Sequence, residues 1–194
     1  MFVVFEGISG SGKTKHIDHF IKHLKKDGKR VKLYVYPDLK GPYKIILGLF
    51  LKKELRLDPT TQMMTFLADM AKDQEQIEKD LKKGYWVIVD RYVFTAIAYH
   101  NLPLKKAKEI VESMHMKKPD LICRVTIMPD VAMERMAKKR RYNKYEKDRE
   151  HVLRAHLRYS QMAEDNFISK WVTVHTTKPE EEVKEEIKRL ILKK

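Results

Sequence analysis

The sequence predicts an α/β protein, a three-layer α/β/α sandwich on a five-stranded parallel sheet. Three observations carry that expectation. Short apolar runs alternate with amphipathic helical patterns along the whole chain, and each crossover between parallel strands has to return over a face of the sheet. A glycine-rich turn joins the first apolar run to the first helical pattern. Hydrophobic residues make up 43 % of 194 residues, enough for one sizeable core, so 1–194 is read as a single domain.

Taken in order, Phe2-Val3-Val4-Phe5 reads as a buried strand, and Ile17, Phe20, Ile21 and Leu24 mark the apolar face of the helix that follows. Asp27-Gly28 ends that helix. Val31 to Tyr36 alternates as a strand stopped by Pro37, and a short apolar helix is expected near Tyr43 to Lys53. Asp58-Pro59 is an N-cap followed by proline at the first helical position, opening one long helix to about Lys83, where Gly84 closes it. Trp86 to Val89 is the third strand and ends at Asp90. Helical patterns cover Tyr92 to His100 and Pro103 to Met116, and Leu121 to Met128 is the fourth strand. Helices are expected over Val131 to Lys139 and Tyr145 to Lys170, then a strand from Trp171 to His175. Thr177-Lys178-Pro179-Glu180 has the spacing of a capping box before a last helix with Val183, Ile187, Leu190 and Ile191 on one face.

Composition narrows the function classes. No apolar stretch approaches the roughly 20 residues of a spanning helix, and no export segment precedes Phe2, so neither membrane insertion nor secretion is expected. The lone Cys123 can form no internal disulfide, which points to a reducing, cytoplasmic setting. The net charge of +14 suits nucleic-acid binding or attraction of small polyanions such as nucleotides, and charge alone does not choose; most lysines fall on helix faces that read as solvated, so nucleic acid is not the expected partner. His16, His19 and His23 share one helix face, but no cysteine or carboxylate completes a ligand set beside them, so they are read as surface or half-buried residues.

Gly7-Ile8-Ser9-Gly10-Ser11-Gly12-Lys13-Thr14 matches G-x-x-x-x-G-K-[ST] in full, between a buried strand and an amphipathic helix. Gly7, Ser9, Gly10, Ser11 and Gly12 let backbone N–H groups wrap the phosphates of ATP, and the helix start adds its positive dipole end. Lys13 is expected on the β and γ phosphates and the Thr14 hydroxyl on Mg²⁺. Asp90, leaving the carboxyl end of a buried strand, can hold Mg²⁺ through water, and Arg91 beside it can clamp a phosphate. Arg135, Lys138, Lys139, Arg140, Arg141 and Lys144 form a basic segment, about 135–149, suited to a lid over ATP. Lys13, Arg91, Arg140, Arg141 and Lys144 are the expected catalytic cations in this P-loop NTPase-type fold.

These residues resemble the thymidylate kinase family. The resemblance rests on Phe5-Glu6-Gly7-Ile8 leading into Gly10 to Thr14, on Asp90-Arg91-Tyr92 with Ala98-Tyr99, on Phe66-Leu67-Ala68-Asp69, on Lys118-Pro119-Asp120-Leu121, and on Tyr145-Glu146. It implies strand order 2-3-1-4-5, phosphorylation of a nucleoside monophosphate such as dTMP by ATP, and a homodimer, with Ile45, Ile46, Leu49 and Phe50 as candidates for a partner-facing stripe. It also implies that Phe66 stacks on the acceptor base, Arg91 binds the acceptor phosphate, Tyr99 lies under the sugar and Pro37 borders the site. The chain departs from the family at Ser9 for the P-loop aspartate, at Met70 for the thymine-reading arginine, and at Leu39 for a basic residue, with Lys40 adjacent. Thr95-Ala96 replaces a more polar pair, and Asn143-Lys144-Tyr145-Glu146 alters the lid. The acceptor pocket of Pro37, Phe66, Met70, Arg91, Thr95 and Tyr99 therefore leaves base identity open. Two other readings stand beside this one: a nucleoside kinase with Glu6 as general base, and a nucleotide- or nucleic-acid-binding regulator.

Overall fold

A computed structural model describes residues 1–52, 54–100, 102–138 and 147–193. Its strands are β1 (Phe2–Glu6), β2 (Val31–Val35), β3 (Trp86–Asp90), β4 (Leu121–Thr126) and β5 (Trp171–His175), all parallel in the order β2-β3-β1-β4-β5. That is the expected 2-3-1-4-5 sheet. The mostly apolar β1, β4 and β3 occupy the middle, because strands covered on both faces are buried along nearly their whole length. The alternating β2 and β5 lie at the edges.

Because side chains of a strand point alternately to its two faces, the sheet divides two apolar clusters. Val3, Phe5, Ile88, Cys123, Val125 and Val174 pack against Ile17, Phe20 and Leu24 of α1 (Lys13–Lys26) and Val183, Ile187 and Ile191 of α9 (Glu180–Leu192). Phe2, Val4, Val87, Val89 and Ile122 face the opposite way. There they meet α2 (Lys44–Leu51), α3 (Pro59–Ala71), α4 (Gln74–Lys82), α5 (Val93–Tyr99), α6 (Leu104–Ser113), α7 (Pro129–Lys138) and α8 (Arg149–Glu164). Asp120, from the Lys-Pro-Asp-Leu stretch, accepts the Phe2 N–H at 2.7 Å and so ties the start of β4 to β1.

Several element boundaries differ from expectation, each for a tertiary or capping reason. The long helix expected over 58–83 breaks at Lys72 and Asp73 into α3 and α4. Asp58 caps α3 as expected, accepting the N–H groups of Thr60 and Thr61. At the break, Lys72 Nζ reaches Asp73 at 2.7 Å, Asp69 at 3.1 Å and Asp38 at 3.3 Å, while Tyr36 donates to Asp73 at 2.9 Å. Tyr36 and Asp38 in the loop after β2 thus take side chains that a continuous helix would leave to solvent. Helix α8 stops at Glu164 rather than Lys170; the chain turns through Asn166 and Ile168, both at positive φ, and Asn166 accepts the Trp171 N–H at 3.0 Å. The capping box does not form, since Pro179 occupies the N-cap of α9 with no side-chain bond. The α2 stripe splits, with Leu47 and Phe50 entering the core while Ile45 and Leu49 stay exposed. His16 is buried, His19 faces Glu180 and His23 faces Asp27.

Candidate active site

The turn from β1 to α1 has the backbone of a phosphate cradle. Gly7, Gly10 and Gly12 all have positive φ, and a Cβ on Gly7 would lie 2.1 Å from the Val125 carbonyl oxygen. Gly12 is the N-cap of α1 and contributes no side chain, so no capping group competes with a ligand for the helix's first N–H groups. From beyond β5, Thr176 donates its hydroxyl to the Ser11 carbonyl at 2.9 Å and pins the loop from below. The cavity above has a volume of about 580 Å³ and is lined by Ser9, Gly10, Gly12, Lys13, Thr14, Lys15, Asp90, Arg91, Arg135, Met136 and Lys138. Its cations far outnumber its single carboxylate, which suits a polyphosphate.

That carboxylate is poised for a cation. Thr14 Oγ1 donates to Asp90 Oδ2 at 3.2 Å, whereas Asp90 Oδ1 is buried with no hydrogen-bond partner among the described residues. A desolvated carboxylate oxygen without a donor is costly unless a cation or its water completes it. With a hydroxyl and a carboxylate side by side, the oxygen donors present fit Mg²⁺.

Arg91 lies across the mouth of the cradle. Its backbone is in the left-handed region at φ 69°, its N–H donates to Phe5 O at 3.0 Å, and its guanidinium donates to Gly7 O at 3.2 Å and Ser9 Oγ at 3.0 Å. Burial works against its charge, but Tyr99, Tyr159, Asp90 and Glu6 outweigh it and hold the guanidinium above its ordinary pKa. Ser9 Oγ thus accepts from Arg91 at the head of the cradle.

Beneath Arg91 is a polar cluster that the sequence reading did not anticipate. Glu6 is 0 % exposed. Its Oε1 accepts the N–H groups of Tyr92 at 2.7 Å and Thr95 at 3.2 Å, and its Oε2 meets the hydroxyls of Thr95 at 2.7 Å and Tyr159 at 2.8 Å. The two hydroxyls are themselves 2.7 Å apart. Burial pushes the Glu6 carboxyl up, against the lowering by Thr95, the Tyr92 N–H, Arg91 and Tyr159. A general base for a 5′-hydroxyl needs to touch its substrate, and this carboxyl is sealed from the cleft, so Glu6 does not serve as one. The Thr95 hydroxyl is engaged with Glu6 and Tyr159.

On the acceptor side, Asp69 accepts the Asp38 N–H at 2.8 Å, which fastens the loop carrying Pro37 onto α3, the helix of Phe66. Phe66 is 6 % exposed, edge-on to Phe50 at 6.0 Å and beside His100 at 5.7 Å. Met70 is 1 % exposed and packs in the core beside Phe66's helix face. Tyr99 is half-buried against the His151 ring. Leu39 is exposed. Arg135 of the basic segment lines the phosphate cavity and donates to Thr176 O at 3.3 Å, and Arg149 pairs with Asp130. Arg140, Arg141 and Lys144, with Lys139 and Tyr145-Glu146, lie outside the described residues.

Comparison with known proteins now decides the family. The family model described as thymidylate kinase matches residues 5–187. The chain belongs to the thymidylate kinase family. A probable thymidylate kinase of Archaeoglobus fulgidus is 33 % identical over 196 residues, covering 98 % of this chain and 94 % of that protein. The thymidylate kinase of Thermosipho africanus is 29 % identical over 208 residues, covering 100 % and 98 %, and that of Plasmodium falciparum is 26 % identical over 195 residues, covering 99 % and 90 %. This thymidylate kinase family member is therefore an enzyme of the nucleoside monophosphate kinase class with a P-loop α/β fold. Among the described residues, no helix is long and apolar enough to cross a membrane.

Two functional features escaped the sequence reading. Tyr159 carries no motif of its own and sits amid an amphipathic helix pattern. Asp69 lies in the quoted Phe-Leu-Ala-Asp stretch, but its bond to the Asp38 backbone requires knowing that the loop after β2 passes over α3.

Proposed function

We propose that the enzyme transfers the γ-phosphoryl group of ATP to the 5′-phosphate of dTMP. The observation that carries this is the Asp90-Arg91 turn at the mouth of the P-loop cavity, which sets a phosphate-binding guanidinium within hydrogen-bond reach of Gly7 and Ser9 in a family member. An oxygen of the acceptor phosphate attacks the γ-phosphorus in line. The new P–O bond forms as the bond to the β–γ bridging oxygen breaks, and ADP leaves with that electron pair. The attacking oxygen is already ionised, so no general base is needed, in keeping with a sealed Glu6. Lys13 and Arg135 neutralise charge on the donor side and Arg91 holds the acceptor phosphate. Thr14 and Asp90 would hold Mg²⁺, which supplies charge neutralisation at the β and γ phosphates when bound. Arg140, Arg141 and Lys144 are assigned to the closing segment on sequence grounds, and Phe66, Tyr99 and Pro37 to the acceptor pocket. With Phe66 so little exposed, a base stacks on it only after Phe50 or His100 shifts aside.

The test is a coupled assay with dTMP, dUMP, dCMP, dGMP, dAMP and thymidine, each with ATP, in the presence of Mg²⁺ and again with EDTA. The highest kcat/KM is expected for dTMP, with activity lost on chelation. No turnover of any monophosphate overturns the assignment, and turnover of thymidine alone favours a nucleoside kinase. Thymine and uracil present the same polar edge, so dTMP and dUMP are told apart by the methyl contact alone and are expected to differ in kcat/KM by about 10-fold to 200-fold.

A homodimer is part of the same reading. Ile45 is 68 % exposed, with Leu49 on the same helix and Met64 on α3 also open, flanking a hollow lined by Tyr43, Ile46, Thr61, Thr65 and Ala68. Apolar surface of this kind is stabilised by a partner. Light scattering is expected to give twice the 23.1 kDa chain mass, and Ile45→Glu is expected to give monomer; a monomeric wild type would exclude it. The single Cys123, buried and with its thiol pushed up by desolvation, suits a cytoplasmic enzyme.

A further inference from the structure

The cluster under Arg91 does more than fill space. Helix α5 starts at Val93, and its N-cap residue Tyr92 provides no side chain to the helix's first N–H groups. Glu6 provides it instead, from the end of β1: Oε1 takes the Tyr92 and Thr95 N–H groups, which is the work of an N-cap carboxylate done across the sheet. Arg91 immediately precedes that turn and is held at φ 69°, a conformation an arginine adopts only where its surroundings impose it. Glu6 is held in turn by Thr95 and by Tyr159, and Tyr159 comes from α8, 153 residues along the chain.

The oxygens Glu6 Oε2, Thr95 Oγ1 and Tyr159 Oη form a closed triangle with sides of 2.7, 2.8 and 2.7 Å. Such a ring is buried, so loss of the Tyr159 hydroxyl takes one of the two hydroxyl donors from Glu6 Oε2 and leaves Thr95 as the other. A Glu6 carboxyl with one donor fewer is held less firmly against the Tyr92 N–H and the turn that aims Arg91. Resting on the reading of Arg91 as the acceptor-phosphate clamp, we infer that Tyr159 is a positioning residue for Arg91, acting through Glu6 and the first turn of α5. By this route α8, which contributes nothing to the lining of the phosphate cavity, sets the strength of acceptor binding.

The experiment is a double-mutant cycle on the full-length enzyme with Tyr159→Phe, Arg91→Ala and the pair, read by calorimetry. The titrants are the monophosphate that the wild type turns over, dTMP on the reading above, and a non-hydrolysable ATP analogue. Phenylalanine keeps the buried ring and removes only the hydroxyl, so the fold survives. Tyr159→Phe is expected to weaken acceptor binding about fivefold, the worth of one buried hydrogen bond, and to leave ATP-analogue binding within twofold. In the Arg91→Ala background the same change is expected to have no further effect on the acceptor, since the two act on one interaction. If Arg91→Ala leaves too little binding to titrate, Arg91→Lys replaces it in the cycle. Equal weakening of both nucleotides by Tyr159→Phe, or an undiminished effect in the Arg91 variant, would mean a structural role only and overturn the inference. If Arg91→Ala leaves acceptor binding unchanged, the clamp reading itself fails and this inference with it. If Arg91→Ala weakens binding but Tyr159→Phe does not, only the positioning role is lost.

Discussion

Lys13→Ala is expected to lower kcat by about 100-fold to 1,000-fold, the usual cost of removing one preorganised group that meets developing charge. The reason lies in where Lys13 sits. It opens α1, is buried, and shares the phosphate cavity with Arg91, Arg135 and Asp90, so its ammonium acts in a space that admits little water to screen it. Arginine at this position is not expected to restore the rate, because its planar fork cannot follow the path of a compact ammonium between a helix start and a glycine turn. Acceptor binding should be spared, since the acceptor-side residues Phe66, Tyr99 and Pro37 are on other elements. Steady-state kinetics with calorimetry on dTMP checks this. A Lys13→Ala enzyme within tenfold of the wild-type kcat would remove Lys13 from the catalytic set.

Arg91→Ala has the second-largest expected effect, and it should strike the other substrate. A guanidinium that bonds an anionic phosphate contributes roughly 1.5–3 kcal/mol per charged hydrogen bond, so acceptor KM should rise by about 10-fold to 100-fold. The rate should fall too, because the acceptor oxygen is then held less firmly in line. Stability is expected to move less than activity. Among the described residues the Arg91 side chain bonds to Gly7 O and Ser9 Oγ, and the turn that carries it is held by Glu6 through backbone groups that alanine keeps. Moreover, alanine at φ 69° is no better placed than arginine, so no relief of backbone strain offsets the loss. The check is the ratio of acceptor to ATP KM, alongside a melting curve. A variant that raises both KM values alike would count against a specific acceptor role.

The donor half of the site was legible because its chemistry is local. A phosphate cradle is made by consecutive backbone N–H groups and the start of the next helix, so Gly7 to Thr14 carry it in one stretch, and the described geometry has the expected strand on one side and helix on the other. Asp90 and Arg91 were legible for a related reason, since a strand's carboxyl end in an open α/β sheet faces the ligand crevice whatever else the chain does. The acceptor half was not. Met70 and Phe66 are one helical turn apart, and the pattern puts them on one face, yet that face is turned into the core and Met70 has almost no open surface. Likewise, nothing in the order of residues from Pro59 to Lys82 reveals that Lys72 is drawn out of a continuous helix by Asp38 and Asp73, with Tyr36 bonded to Asp73 as well.

By itself, then, the sequence determined the sheet, its helical layers, the phosphate cradle and the family, because hydrophobic period and glycine spacing are properties of short segments. Only the tertiary structure decided what Glu6 is for. A carboxylate next to a P-loop reads as a candidate base as long as its surroundings are unknown. Its role changed once Thr95 and Tyr159 were found on it, since a buried carboxyl acts on whatever donors the fold brings to it, and those come from 89 and 153 residues away.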